Sequence, residues 1–365
     1  MKKIILLASL LNMAVYAQAQ YVSLSTTEIQ ALKKNIENRD EVKKAFEPYL
    51  QTAEKAMDEQ PDPIETVVSQ GVLAGNPTKT ASLKALHDGD KVYALTLLYK
   101  LYGQKQYLQK AQDFLRAWAK INKPNGDPIN ESKLDDFITG YDLIRNEVSS
   151  DARNEIDAWL TSIYNAELNS PSAKPGKTTG FNNWNSHRIK VMTLTAFTLH
   201  NDGYMEPVYK LLEKQIGVDL YADGTSFDFK ERDAFHYHTY TLEPLLKTCM
   251  VIYRATGKKY FTYESANGSS IQKSVDFLVP FVTGEKTHAE FVNSKVGFDK
   301  ARAANHEKGY EAGTLFEPKN GISTLSLAAY FNPVYINAIQ QSPVKEKFNW
   351  QLALGQVMKP VVINN

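Results

Sequence analysis

The apolar side chains of this chain recur mostly with the spacing of α-helices. In the segment 90–102, Leu95 and Leu98 fall on one helical face, and the segment 106–121 repeats the pattern after a turn at Gly103. A glycine between two such segments is typical of a helix end followed by a tight turn. The pattern therefore predicts a helical hairpin.

Further helical hairpins are predicted along the chain, at 132–145 with 150–165, 186–200 with 204–217, and 239–255 with 270–282. Clear strand alternation is limited to 227–229 and 291–296. The hairpins are unequally spaced and show no internal sequence repeat, which argues against a solenoid of the tetratricopeptide kind. We therefore predict an all-α fold, an (α/α) toroid or incomplete α/α barrel of helical hairpins.

The first residues have the pattern of a secretory signal peptide. Lys2 and Lys3 precede an apolar stretch at 4–15, and Ala17-Gln-Ala19 matches a cleavage site. The apolar stretch is too short to span a membrane. We predict a signal peptide at 1–19, a single domain at 20–365, and a protein exported to the periplasm that inserts in no membrane.

Composition narrows the class of partner. The chain has 42 Lys and Arg against 41 Asp and Glu, for a net charge of +1. A nucleic-acid-binding protein needs a basic excess, so that class is disfavoured. An acidic sugar polymer stays possible, because a basic groove can form on a neutral protein. The 20 Tyr residues offer flat surfaces for sugar rings. The lone Cys249 lies in an apolar run and is predicted to be inert core.

The segment 228–244 concentrates the side chains that bear chemistry. It reads Asp-Phe-Lys-Glu-Arg-Asp-Ala-Phe-His-Tyr-His-Thr-Tyr-Thr-Leu-Glu-Pro and ends in an apolar helix. Cations and neutral donors beside a phenol are suited to removing a proton from a carbon next to a carboxylate while holding that carboxylate in place. A charged, aromatic loop that merely caps a helix is the alternative. The candidates in this segment are Lys230, Arg232, His236, Tyr237, His238 and Tyr240.

A second polar cluster occupies 182–188, Asn-Asn-Trp-Asn-Ser-His-Arg, at the start of another apolar helix. Asn183 and His187 are four residues apart and share a helical face if the helix begins early enough. Asn185 or Ser186 can cap that helix. The candidates here are Asn183, Trp184, His187 and Arg188, and a buried structural role for His187 is the alternative.

Two further segments carry weaker signals. The turn 124–133 includes Asn130, whose side chain can equally cap a helix. The segment 288–299 includes Lys295 and, with Arg302, can supply cations for substrate carboxylates. His236 and His238 could form a metal-ligand pair, but no zinc motif accompanies them, so we predict no metal and no cofactor.

At these residues the chain resembles the alginate lyase superfamily, the α/α-toroid polysaccharide lyases. The blocks that carry the resemblance are Asn-Asn-Trp-x-Ser-His-Arg and Arg-Asp-Ala-Phe-His-Tyr-His-x-Tyr-x-Leu-Glu-Pro-Leu, with further similarity at 126–131, 141–144 and 290–292. Polysaccharide lyase family 38, whose members act on alginate or glucuronan, is the most similar branch. The resemblance covers most of the mature chain.

The resemblance implies a role for individual residues. The Tyr of His-Tyr-His transfers the proton in family 5 alginate lyases, and here it is Tyr237. An Asn-His pair neutralises the carboxylate there, whereas this chain has Asn183-Trp184, so His187 is expected to substitute, with His236 and His238 as the alternatives. The Arg of that family is matched by Lys230, so Arg232 is expected to take its role. The remaining candidates, Trp184, Arg188, Lys230, His236, His238, Tyr240, Asn130 and Lys295, are expected to bind substrate.

The sequence therefore predicts a secreted, monomeric lyase that cleaves 4-linked uronic acid polymers by β-elimination. Mannuronate-containing alginate is the expected substrate, because a single Tyr can serve as base and acid when the proton and the leaving group lie on one face of the sugar. Glucuronan is the alternative substrate. A non-catalytic carbohydrate-binding protein, or a glycoside hydrolase using Asp135, Asp136, Glu231 or Asp233, are the alternative functions.

Overall fold

The computed structural model describes residues 20–358, so the predicted signal peptide lies outside the described residues. Within them the regular structure is helical, apart from two isolated β-bridges. The α-helices are α1 (Thr26–Asn38), α2 (Asp40–Ala56), α3 (Pro77–Ala85), α4 (His87–Tyr102), α5 (Lys105–Ile121), α6 (Pro128–Glu131), α7 (Asp135–Ile144), α8 (Ser150–Leu168), α9 (Asn183–Thr198), α10 (Asp202–Asp219), α11 (Phe227–Arg232), α12 (Phe235–Thr256), α13 (Ile271–Val282), α14 (Gly297–Ala304), α15 (Lys319–Ala328), α16 (Val334–Gln341) and α17 (Trp350–Gly355). Four 3₁₀ turns lie at Ser132–Leu134, Pro171–Ala173, Thr178–Gly180 and Tyr260–Thr262.

The helices form a closed ring. Going round it, α2 packs on α4, α4 on α7, α7 on α9, α9 on α12, α12 on α15, α15 on α17, and α17 returns to α2. The closure is aromatic, since the ring of Trp350 lies 4.7 Å from that of Tyr49 and 6.1 Å from that of Phe46. The outer helices α5, α8, α10 and α13 pack behind this inner ring. The prediction of an α/α toroid is confirmed.

Close helix packing draws the ring together. In α7, a Cβ on Gly140 would lie 2.9 Å from Val92 Cγ1 of α4, so only glycine permits this approach. Trp118 of α5 is fully buried, packs against Phe137 of α7, and donates its indole N–H to Asp88 at 2.9 Å. These contacts satisfy the buried polar groups at the interface of three helices.

The ring encloses a small central cavity of about 150 Å³, lined by residues from all seven inner helices. Asp135 and Lys247 line it and lie 3.4 Å apart, and the buried Lys190 donates to the same Asp135 carboxylate at 2.6 Å. Within residues 20–358, no helix combines the length and apolarity needed to cross a membrane.

All predicted hairpins lie where the periodicity placed them, but several helices begin earlier than predicted, two of them at the polar clusters. Helix α9 starts at Asn183 and α12 at Phe235, so the polar clusters sit on their first turns. The two strand predictions were wrong. Residues 227–229 begin the short helix α11, and 291–296 form turns and loop, because short apolar runs do not distinguish a strand from a single helical turn.

Candidate active site

A cleft of about 640 Å³ opens where the N-terminal ends of α9 and α12 meet. The two helices pack against each other, so the predicted clusters at 182–188 and 228–244 come together as expected. Its walls also draw on the loop at 69–71 and on α14 with the loop after it. The lining includes Lys79, Lys133, Asn183, Trp184, Glu231, Arg232, His236, Tyr237, Tyr240, Arg302 and Tyr310.

Tyr237 lies in the floor of this cleft, 5% exposed, between two arginines. Its Oη accepts a hydrogen bond from Arg302 Nη1 at 2.6 Å, and the guanidinium carbon of Arg232 lies 3.7 Å from the centre of its ring. Burial raises the pKa of Tyr237, while Arg232 and Arg302 oppose that rise. Cations were expected to lower this pKa, and they act in that direction, but burial outweighs them.

The two arginines are held by different partners. Arg232 forms an ion pair of 2.5 Å with Asp299, which is 2% exposed and also accepts from Ser294 Oγ at 2.7 Å. Arg302 donates a second hydrogen bond from Nη1, to Tyr310 Oη at 2.9 Å. Arg302 thus lies between two phenol groups, and both guanidinium groups are fixed relative to Tyr237.

His236 forms the next link of this network. Its Nε2 lies 3.2 Å from Tyr310 Oη. Burial, followed by the charges of Arg302 and Arg232, lowers the pKa of His236 to about 4. The ring is therefore neutral near pH 7 and can exchange a proton or a hydrogen bond with Tyr310.

Asn183 is oriented by a buried carboxylate. Its backbone N–H donates to Asp228 Oδ2 at 2.7 Å, and its side-chain amide donates to Asp228 Oδ1. Asp228 is fully buried and also accepts from Thr241 Oγ1 at 2.9 Å. Burial raises the pKa of Asp228, and these hydrogen bonds oppose the rise. An amide has two N–H donors, so one of them stays available on Asn183, which lines the cleft.

His187 is not among the residues that line the cleft. It is 6% exposed, shares a hydrogen bond of 2.8 Å with Ser132 Oγ through Nδ1, and its ring lies 4.2 Å from that of Tyr240. Burial, with Lys190, Lys133 and Lys247 adding to it, lowers the pKa of His187 well below 6.5. This placement argues against the predicted direct contact between His187 and a substrate carboxylate. The ring of His187 instead packs against the ring of Tyr240.

Two other predicted substrate contacts are buried in structural roles. His238 is fully buried between Ser226 Oγ and the carbonyl of Ser274, at 2.9 Å from each. Arg188 donates to the carbonyl of Glu167 at 2.7 Å and to Asn185 Oδ1 at 2.8 Å. Neither side chain lies in the cleft wall, because each points from its helix into the core.

Asn130 affects the cleft indirectly, by holding a loop that lines it. Its Oδ1 accepts from the backbone N–H of Ser69 at 2.7 Å and from that of Gln70 at 3.2 Å. Since the loop at 69–71 lines the cleft, Asn130 fixes that wall without lining it. Lys230 and Lys295 are exposed and also lie outside the lining. Lys230 instead pairs with Asp223 at 3.1 Å and lies over the ring of Tyr221.

Some lining residues were not predicted from the sequence. Lys79, Tyr310 and the loop at 69–71 carried no local motif, and Lys133 appeared only as the end of a turn segment. Arg302 was noted as a cation but not tied to Tyr237. The chain that follows the loop at 69–71 contacts the segment after α14. The N–H of Ala74 donates to Glu307 Oε1 at 2.7 Å, and Asn305 Nδ2 donates to the carbonyl of Ala74 at 3.2 Å. Contacts between residues more than 200 positions apart leave no trace in local sequence.

Within the described part of the chain, no group of three or more His, Cys, Asp or Glu side chains is arranged to hold a metal ion. Cys249 is buried, and burial raises the pKa of its thiol above the usual range. The side chains facing the cleft are suited to acid–base transfer by a phenol, with cations and amide donors close by.

Comparison with known proteins shows which families and structures this chain is similar to. The alginate lyase family model matches residues 30–288. A search of curated proteins found no match. The structure is similar to that of an alginate lyase from Bacteroides ovatus, with a TM-score of 0.70 and 16% identity over 92% of this chain and 98% of that one. It is also similar to alginate lyase A1-III from Sphingomonas species A1, with a TM-score of 0.57 and 19% identity over 73% of this chain and 81% of that one. A tyrosine-to-phenylalanine variant of alginate lyase A1-III complexed with tetrasaccharide has a TM-score of 0.57 at 20% identity, over 73% and 80%.

Proposed function

Since the chain belongs to the alginate lyase family and is a polysaccharide lyase, we propose that it cleaves 4-linked uronic acid polymers, foremost mannuronate-containing alginate, by β-elimination with Tyr237 as base and acid. The observation that carries the proposal is the position of the Tyr237 hydroxyl, which lies in the cleft 2.6 Å from Arg302 Nη1 with Arg232 against its ring. Two cations beside one phenol favour the phenolate, which is the form that takes a proton.

The proton to be removed is on C5 of the uronic acid, next to the carboxylate. The C5–H group is a very weak acid while that carboxylate keeps its full charge. Hydrogen bonds to the carboxylate stabilise the enolate-like species that forms, in the manner of an oxyanion hole. In this cleft we assign that role to the free N–H of Asn183, because Asp228 already fixes its amide.

After the C5–H bond breaks, its electron pair forms the C4–C5 double bond and the C4–O4 bond breaks. The proton now on Tyr237 passes to O4 of the leaving sugar, which restores the phenolate. The product carries a double bond conjugated to its carboxylate, and no water or cofactor is consumed. Lys79 and Lys133, which also line the cleft, offer positive charge to neighbouring carboxylates of the polymer.

The choice of alginate follows the family match, and the choice of mannuronate over guluronate within it rests on stereochemistry. A single group can remove H5 and protonate O4 only when both lie on one face of the ring, as in mannuronate. Guluronate, the C5 epimer of mannuronate, places them on opposite faces and requires a second base, whereas glucuronate has the same arrangement at C4 and C5 as mannuronate. Of the three nearby histidines, His187 and His238 do not line the cleft, and only His236 does. This supports a mechanism centred on Tyr237.

Substrate binding is assigned to Trp184, Tyr240, His236 and Tyr310, all of which line the cleft. The tetrasaccharide complex of alginate lyase A1-III supports a groove of this fold as the place for an oligosaccharide. Secretion, which we propose from the pattern at 1–19, is consistent with a polymeric substrate that cannot enter a cell intact.

The decisive experiment incubates the mature protein separately with polymannuronate, polyguluronate, glucuronan and hyaluronan. The near-ultraviolet absorbance of the unsaturated product reports elimination. Fastest turnover of polymannuronate, abolished by Tyr237→Phe, is the expected result. Release of reducing ends without the new chromophore would indicate a hydrolase, and binding without turnover would indicate a carbohydrate-binding protein. Fast turnover of glucuronan alone would overturn the substrate while leaving the elimination chemistry.

A further inference from the structure

A second chamber of about 660 Å³ adjoins the catalytic cleft on the other side of Trp184. Three residues, Thr178, Thr179 and Trp184, line both spaces, so the two adjoin at these residues. The other walls of this distal chamber are the turn at 125–127 and the loop at 171–177. Its lining consists of Asn125, Gly126, Asp127, Pro171, Ser172, Gly176, Lys177, Thr178, Thr179 and Trp184.

The turn at 125–127 is held by buried partners. Glu131 is 3% exposed, and its Oε1 accepts from the backbone N–H groups of Asn125 at 2.6 Å and Gly126 at 2.8 Å. Gly126 has φ of 76°, and a Cβ there would lie 2.5 Å from the carbonyl oxygen of Ala166, so only glycine fits. Ser170 Oγ donates to the carbonyl of Gly126 at 2.5 Å. This wall of the chamber is therefore fixed in position.

The opposite wall is held in place as well. Thr179 Oγ1 donates to the carbonyl of Ser172 at 2.7 Å, and Asn182 Oδ1 accepts from the N–H of Trp184 at 3.0 Å. The backbone of Trp184 is therefore fixed at the start of α9, and its side chain lines both spaces. A ring that is only partly buried, at the boundary of a groove, is suited to stacking against a sugar.

The charges of the distal chamber favour an anion. Lys177 is exposed and lines the chamber, and no ion pair among the described residues involves its ammonium group. The one acidic residue in the lining, Asp127, is already engaged on both oxygens. Its Oδ1 accepts from the N–H groups of Ile129 at 3.1 Å and Asn130 at 3.2 Å, and its Oδ2 accepts from Gln70 Nε2. Hydrogen bonds to a carboxylate disperse its charge, so Lys177 is the dominant charge that a ligand meets.

We propose that the distal chamber binds further uronate residues of the polymer whose reacting sugar lies at Tyr237, with Lys177 pairing with a carboxylate and Trp184 stacking on a sugar ring. This inference rests on the proposed function and adds a length requirement to it. Oligomers too short to pass Trp184 leave the chamber empty, whereas longer ones gain contacts there. These contacts should lower KM and leave kcat unchanged, because the chamber is remote from the bond that breaks.

The test compares Lys177→Gln with Lys174→Gln across a series of mannuronate oligomers of increasing length. Lys174 is exposed on the same loop but lines neither chamber, so it is the matched control. For wild type, kcat/KM should step up at the length that reaches past Trp184. Lys177→Gln should reduce that step about twofold to fivefold, the range of an exposed ion pair, by raising KM with kcat unchanged. Lys177→Glu should reduce it further, and added salt should shrink the difference among variants.

The outcomes separate the two proposals. If wild type turns over no uronan oligomer, the proposed function fails. If wild type is active but both Lys177 variants keep the step of the Lys174→Gln control, the proposed function stands and the distal chamber does not bind substrate. A length step that survives in Lys177→Glu would equally overturn the assignment. Thermal melting of each variant checks that the fold is intact.

Discussion

Arg302→Gln is the substitution that tests most directly how Tyr237 becomes a base. In the structure Arg302 Nη1 lies 2.6 Å from Tyr237 Oη, and burial pushes the pKa of that phenol upward. The phenolate is therefore the minor form at neutral pH, and kcat is expected to rise as pH increases. Removing the cation that favours the phenolate should move this rise to higher pH.

The size of the shift follows from the hydrogen bond. A hydrogen bond to a charged group contributes about 1.5–3 kcal/mol, and one pKa unit corresponds to about 1.4 kcal/mol. Arg302→Gln should therefore displace the acidic limb of the kcat profile by about 1–2 pH units. Below the limb this is a loss of roughly 10- to 100-fold in kcat, and at high pH the loss should shrink.

The assay is the absorbance of the unsaturated product from polymannuronate, at saturating substrate, over the pH range in which the wild-type profile rises. Lys300→Gln, an exposed substitution on the same helix α14, is the matched control and should leave the profile in place. A kcat loss by one constant factor at every pH would contradict activation of the phenol. A raised KM with unchanged kcat would indicate that Arg302 binds a substrate carboxylate instead.

Other predictions test the remaining groups. Tyr237→Phe should lower kcat by about 10²–10⁴-fold with little change in melting temperature, whereas Tyr240→Phe should cost far less; the reverse ranking in steady-state kinetics would misplace the base. Dialysis against EDTA should leave the rate unchanged, and recovery by one added metal would revive a role for His236 as a ligand. Burial and the adjacent Glu131 raise the pKa of Glu167 well above 4.5, so the folded state binds the extra proton and its stability falls as pH rises above that value. Glu167→Gln should reduce that fall, and the same pH dependence of the melting temperature in both proteins would refute the prediction.

The fold was predictable because its signals are local. Helical periodicity in the segments 90–121 and 239–282 reports burial on one face, and the same burial drives the packing of the ring. The first residues of α9 and α12 were harder to predict, because polar clusters such as those at 182–188 and 228–236 are also typical of loops. Asn182, which caps α9 through the N–H of Trp184, shows that the helix begins within the cluster.

The sequence predicted a site residue only where the residues next to it in the chain indicate the position of its side chain. Tyr237 and Asn183 line the cleft, since each lies on the first turn of a helix whose start faces the opening. His187, His238 and Arg188 belong to the same two segments but point into the core, because successive helical residues turn through the full circle. The partners of Tyr237 could not be predicted, since Arg302 lies 65 residues away and no local pattern ties the two together.

The position of the histidines bears on substrate choice more than their number does. The sequence offered three near the phenol, and with them a second base on the opposite face of the sugar. In the structure His238 is enclosed by Ser226 and Ser274, and His187 is enclosed beneath Tyr240, so neither reaches the cleft. His236 does reach it, but its Nε2 is engaged by Tyr310, which itself accepts from Arg302. His236 is thus linked to Tyr237 through Tyr310 and Arg302, and its Nε2 is already engaged. Since no other histidine of the described residues lines the cleft, a second base for the opposite face is missing from its wall. This favours syn elimination, which mannuronate and glucuronate both permit, over anti elimination from guluronate.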